Sequence, residues 1–224
     1  MKVMKFGGSS VGSADAIRRT CELISKRARP GDVIIESAVG VDIKTGDNVK
    51  VTDMLVEFSQ GTSVDCKQEI MEKIMQRHSN ILAGLGMDLS VIGSELAELN
   101  WLSYQDLTSD QKKDHCMSLG ERMAVKILAA QLCKIGLDAR PLMAYDVGLI
   151  TDSNFGSAAP LQESYRRIKE ALSSFSKTYM VITGFIGADE YGRITTLGRG
   201  GSDYSAAIFA AALDAECLEL WTDV

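Results

Sequence analysis

Two short segments carry residue types that could manage a phosphorylated or multiply charged ligand. In Lys5-Phe6-Gly7-Gly8-Ser9-Ser10, glycines follow a lysine at the end of an apolar run. Glycines let the backbone approach a ligand closely, N–H groups beside a helix N-terminus attract anions, and a lysine adds a point charge. The spacing fits neither G-x-x-x-x-G-K-[ST] nor G-x-G-x-x-G, the two common nucleotide loops. A tight strand-to-helix turn with an exposed lysine is the plainer alternative. The second segment, Thr195-Thr196-Leu197-Gly198-Arg199-Gly200-Gly201-Ser202-Asp203-Tyr204-Ser205, is the more informative. Ser202 reads as a helix N-cap, which puts Asp203 in the first turn, and Arg199 can grip a carboxylate or phosphate with two parallel N–H donors. A capped helix after a flexible turn would need only Ser202 and would leave Arg199 and the glycines unexplained.

These segments need rigid elements to place them. Residues 3–6 read as a buried strand and residues 14–29 as an amphipathic helix, with Ile17, Cys21 and Ile24 at i, i+4 and i+7 and basic residues at its end. Residues 32–38 form a second strand, which completes a right-handed βαβ unit. Residues 39–50 read as a polar loop. Three helices follow at 64–82, 89–101 and 121–135, the last apolar almost all round and expected to be the most buried. Short strands are predicted at 139–143 and 147–151, then a helix opening at Pro160. Residues 179–186 and 193–197 read as strands joined by a turn at Asp189-Glu190-Tyr191-Gly192, followed by a helix over 202–213 and a strand over 217–222. Alternating strands and helices favour one mostly parallel sheet covered on both faces.

Composition removes several classes of function. Across 224 residues, 46% hydrophobic content and 24% charged residues are ordinary for a globular protein with a real core. A formal charge of -6 leaves no basic footprint for nucleic acid or an anionic membrane, so small molecules are the expected partners. No apolar run reaches the ~20 residues of a membrane helix, and the expected location is the cytoplasm. Cys21, Cys66, Cys116, Cys133 and Cys217 are scattered, and His78 and His115 sit in no ligand-like cluster, so no metal site is expected.

The two glycine segments are similar to the signature segments of aspartate kinases, in the amino-acid kinase family. Other stretches agree in order: Ser37-Ala38 with Gly40 and Thr52, Gly120-Glu121-Arg122, Thr151-Asp152 with Phe155-Gly156, and Trp221-Thr222-Asp223-Val224. The resemblance implies a three-layer αβα sandwich and transfer of the γ-phosphoryl group of ATP to the side-chain carboxylate of L-aspartate, with Mg2+ bound through the ATP phosphates. Carried over by position, Lys5 and Asp203 match the catalytic pair. Ser37, Thr52, Glu121, Arg199 and Ser202 match the aspartate side, with Glu121 meeting the substrate ammonium and Arg199 a substrate carboxylate. Gly7, Gly8, Ser9, Thr222 and Asp223 match the nucleotide side. L-Aspartate and ATP are the implied partners, and a homo-oligomer is compatible with the family.

Because a carboxylate nucleophile is already ionised at neutral pH, the reaction requires no general base, which suits a chain with so few histidines. Two departures stand out. Residues 42–50 intervene between Ser37-Ala38 and Thr52, and Glu36 sits where apolar residues are common, on the face that alternation sets opposite Ser37. The family continues beyond the last strand with more of the nucleotide-binding region and with regulatory domains, so residues 1–224 alone are expected not to turn over. The rival readings are a relative acting on glutamate, carbamate or a nucleotide monophosphate, and a non-catalytic amino-acid-binding module.

Overall fold

A computed structural model describes residues 1–42, 46 and 48–222. Its centre is a five-stranded sheet of β1 (Lys2–Phe6), β2 (Val33–Glu36), β3 (Ala139–Leu142), β5 (Tyr179–Thr183) and β8 (Cys217–Trp221), in the order β3-β5-β2-β1-β8, with every neighbouring pair parallel. The inner strands are near-continuous apolar runs because helices cover both of their faces. On one side lie α1 (Ala14–Arg27), α2 (Val51–Gln60), α3 (Val64–Gly84), α4 (Gly93–Ser103) and α5 (Asp110–Lys134), which pack on Met4, Phe6, Ile34 and Val181. On the other, α6 (Glu163–Leu172) and α7 (Gly201–Ala212) pack on Val3, Ile35 and Ile182.

Side chains alternate along a strand, and this assigns the ends of β1 and β2 to opposite layers. Lys5 continues the face of Val3, toward α7, while Glu36 continues the face of Ile34, toward α5. α5 is the most buried helix, as expected, with Leu119, Met123, Ile127 and Leu132 sealed from water. Each such side chain contributes about 1.5–3 kcal/mol of transfer free energy.

Several elements differ from the sequence expectation. α2 was not anticipated, although Val51, Leu55 and Phe58 are buried at i, i+4 and i+7. α5 starts at Asp110 rather than at 121, because the Ser109 side chain caps it by accepting from Lys112 N–H at 3.3 Å. The first turn of the 89–101 helix is a 3-10 turn, Leu89–Ile92. Pro160 does not open α6: it pairs with Thr151 in an isolated bridge, and the helix begins at Glu163. The run 179–186 is two strands, broken at Gly184-Phe185, where Phe185 takes φ 64. Its second half, β6 (Ile186–Asp189), leaves the main sheet to join β4 (Ile150–Thr151) and β7 (Ile194–Thr196) in a separate three-stranded sheet, ordered β4-β6-β7. The anticipated turn at Asp189 to Gly192 closes with Gly192 N–H donating to Asp189 C=O at 2.9 Å.

Candidate active site

The C-terminal ends of β1 and β2 open onto a cavity of about 580 Å³, the position where open α/β sheets bind ligands. Lys5, Gly8, Ser9, Ser37, Thr52, Glu121, Arg199, Ser202 and Asp203 all line it. Gly7 lies just beneath, and Thr222 follows β8 next to the Gly7 turn but outside the lining. Asp223 falls outside the described residues.

The two glycine segments position their charges by different means. Gly8 packs against Gly40, whose N–H donates to Gly8 C=O at 2.9 Å, and a Cβ on Gly8 would stand 2.6 Å from Ala38 O. Gly7 N–H donates to Trp221 C=O at 3.2 Å, so the turn is clamped between the ends of β2 and β8. In the second segment Gly200, at φ 73, rather than Ser202, occupies the N-cap position of α7. The left-handed turn takes the cap position that Ser202 was expected to hold, and glycine adopts it without a Cβ clash. Ser202 moves into the first turn and packs on Gly184, where an added Cβ would come within 2.7 Å of the Ser202 Cβ. Asp203 stays in the first turn as expected. Its Oδ1 meets Lys5 Nζ at 2.6 Å, with Lys5 largely buried and Asp203 half open to water. Arg199 is exposed at the rim and forms no ion pair with another described residue.

The opposite wall comes from α5 and α2. Gly120 lets α5 approach the turn after β2, since a Cβ there would lie 2.9 Å from the Ala38 Cβ. Glu121 is mid-helix, 3% exposed, and its Oε1 accepts from Ala38 N–H at 3.3 Å. Burial pushes its carboxyl up to about 8, against the opposing pull of backbone hydrogen bonds. Thr52 and Asp53 sit in the first turn of α2, which carries Thr52 into the lining despite the longer loop before it.

Gly40, named in the Ser37-Ala38 stretch, also lines the cavity, as do Lys50, Asp53 and Phe185, which were not anticipated. The buried spacing of Val51, Leu55 and Phe58 could have placed the α2 first turn, and with it Asp53. Nothing local marked Phe185, whose position follows from the chain leaving one sheet for another. A slightly larger cavity of about 650 Å³ lies near Gly61, Lys67 and Tyr104. Its buried cation, Lys67, is already held by the Gln105 carbonyl at 2.6 Å. No group of three or more His, Cys, Asp or Glu among the described residues could hold a metal ion. Nor is any of their helices long and apolar enough to cross a membrane.

Several known proteins similar to this chain are aspartate kinases. The chain is 34% identical over 231 residues to aspartokinase 1, chloroplastic, of Arabidopsis thaliana, covering 99% of this chain and 40% of that one. It is 33% identical over 223 residues to the aspartokinase of Chlamydia trachomatis, covering 99% and 48%. Among solved structures, E. coli aspartokinase III in complex with aspartate and ADP superposes with a TM-score of 0.86 at 29% identity, over all of this chain and 49% of that one. The chain thus spans about half the length of the relatives it matches. Since the family model described as "Amino acid kinase family" matches residues 1–224, the chain belongs to the amino acid kinase family.

Proposed function

We propose that these residues form the acceptor side of an ATP-dependent aspartate kinase, which converts L-aspartate to 4-phospho-L-aspartate at the start of lysine, threonine and methionine biosynthesis. The observation that carries this reading is the meeting, in one cavity, of the Lys5–Asp203 pair, the exposed Arg199 and the buried Glu121. A cation and a carboxylate set apart from a lysine suit an amino acid whose side chain must reach the lysine.

In this mechanism Arg199 holds a substrate carboxylate and Glu121 the ammonium, while Ser37, Thr52 and Ser202 supply hydroxyls to orient the acceptor. The acceptor oxygen attacks the γ-phosphorus, an O–P bond forms, and the bond to the β,γ-bridging oxygen breaks to leave ADP. Lys5 balances charge on the phosphoryl group in flight, and Asp203 aims Lys5. The Gly7-Gly8-Ser9 turn, pressed against the end of β2 where a Cβ on Gly8 would meet Ala38 O at 2.6 Å, is assigned to the phosphates by position. Thr222 and Asp223 are assigned to the nucleotide side by position. Mg2+ would be carried on the ATP phosphates and would lower their charge. Half coverage of the relatives supports assigning turnover to a longer protein, with the nucleotide side only partly contained in residues 1–224.

ADP release measured with aspartate, glutamate, carbamate and nucleotide monophosphates as acceptors tests the assignment. In a longer form that turns over, aspartate alone is expected to support ADP release. Preference for another acceptor would place the protein elsewhere in the family, and binding without turnover in any longer form would make it a binding module.

A further inference from the structure

Behind the wall of the cavity lies a second carboxyl that the proposed mechanism leaves unused. Glu36 ends β2 and is completely buried. The consecutive amides of Ser37 and Ala38 donate to two different carboxyls, Ser37 N–H to Glu36 Oε1 at 3.0 Å and Ala38 N–H to Glu121 Oε1 at 3.3 Å. Successive residues are about 3.8 Å apart along the chain, and the Glu121 charge acts on Glu36, so the two carboxyls are neighbours behind the wall. The second oxygen of each, Glu36 Oε2 and Glu121 Oε2, is buried and has no hydrogen-bond partner.

Buried acceptors without donors are costly, and two adjacent buried carboxylates resist ionising together. One retained proton answers both problems. We propose that Glu36 is a positioning residue for the substrate ammonium: a carboxylic acid that keeps its proton and turns its O–H toward Glu121, so that Glu121 alone ionises when the ammonium arrives. This rests on reading the cavity as an amino-acid acceptor site. No oxidant or further reactant is needed; the proton leaving Glu121 goes to solvent and the proton on Glu36 stays.

The groups that bear on Glu36 come from three neighbouring elements. Burial raises its carboxyl well above the usual range, the Ser37 N–H and then the Lys5 ammonium on β1 pull it back, and the Glu121 charge on α5 raises it again. Cys21 on α1 is itself pushed up to about 12, first by burial and then by Glu36. Repulsion between the two carboxylates is mutual, and only Glu121 lines the cavity where the ammonium would sit, so Glu121 is the one that a substrate cation would ionise.

Calorimetric titration with L-aspartate across a series of pH values, on wild type, Glu36→Gln and Glu36→Leu, tests this. In wild type, affinity should rise with pH as Glu121 ionises. Glu36→Gln retains an N–H donor and should bind within about threefold of wild type, with an unchanged pH midpoint. Glu36→Leu removes the donor that favours charged Glu121, so binding at neutral pH should weaken about tenfold and the midpoint should move up by about one unit. A purely structural role would lower affinity equally at every pH. Infrared difference spectra should show the carbonyl band of a protonated carboxylic acid in aspartate-bound wild type and its loss in Glu36→Gln. A folded Glu36→Leu protein with the wild-type midpoint, or no such band in wild type, overturns the proposal. If Glu36→Leu does not fold, the infrared comparison decides alone. If wild type binds no aspartate at any pH, the acceptor reading fails instead, and the band in the ligand-free protein still reports whether Glu36 holds a proton.

Discussion

The two walls of the cavity are built on opposite electrical plans. Toward α7, Lys5 and Asp203 form an ion pair with one partner half in water, and Arg199 stands exposed beside them. Toward α5, Glu121 and Glu36 are sealed from solvent, bound through backbone amides and short of donors. Strand alternation sends Lys5 and Glu36, from the ends of adjacent strands, into these different layers. An ion pair with one partner half in water can part and re-form around a passing phosphoryl group more readily than a sealed pair. A sealed carboxyl instead becomes a strong anion only when a cation joins it, and so selects for one.

Lys5→Ala should have the largest effect, lowering kcat on the order of 10²- to 10³-fold in a form that turns over, with a smaller change in the KM for aspartate. Near-normal kcat would remove Lys5 from the chemistry. Arg199→Ala and Glu121→Ala should come next, each weakening aspartate roughly 10- to 100-fold by calorimetry while ATP affinity holds, because each strands a substrate charge. Weakened ATP with untouched aspartate would mean that the two half-sites are reversed.

The sealed wall also predicts a stability profile. Glu121 has its folded carboxyl raised to about 8 from an ordinary 4.5, so the folded state binds the extra proton between those values. Stability associated with the neutral form is therefore fully present below about pH 4.5 and is lost as pH rises toward 8. Glu121→Gln should match wild type in urea unfolding near the lower value and exceed it near the upper one, by up to a few kcal/mol in order of magnitude. A variant that is less stable than wild type at both would contradict the sealed, charge-reluctant picture. The smallest effect should be that of Asp203→Asn on stability, under about 1 kcal/mol because Asp203 is half exposed. A large loss there would erase the distinction between the walls.

Much of the site was legible because backbone rules constrain glycine-rich turns strongly. The Lys5 and Gly198 to Asp203 segments lie at strand and helix ends as anticipated, and the helix at Ala14 and the central parallel strands followed from simple periodicity. What escaped was set by tertiary context. The early turns of α5 are polar, so its start depended on the Ser109 cap rather than on an apolar face. Phe185 entered the cavity only because the chain changes sheets beside it. Ser202 looked like a cap until Gly200 took that place in a left-handed turn. Glu36 could be assigned a strand face, but its neighbour Glu121 comes from a helix 85 residues along, and strand alternation says nothing about such a partner.

The most direct test of the central claim is calorimetric titration of this chain with L-aspartate, in wild type and in Arg199→Ala, followed through Glu121 ionisation and repeated in buffers of different protonation enthalpy. Saturable binding to wild type is expected, with release of a proton at neutral pH and loss of most affinity in the variant. Binding that releases no proton, or that is indifferent to Arg199, would contradict it.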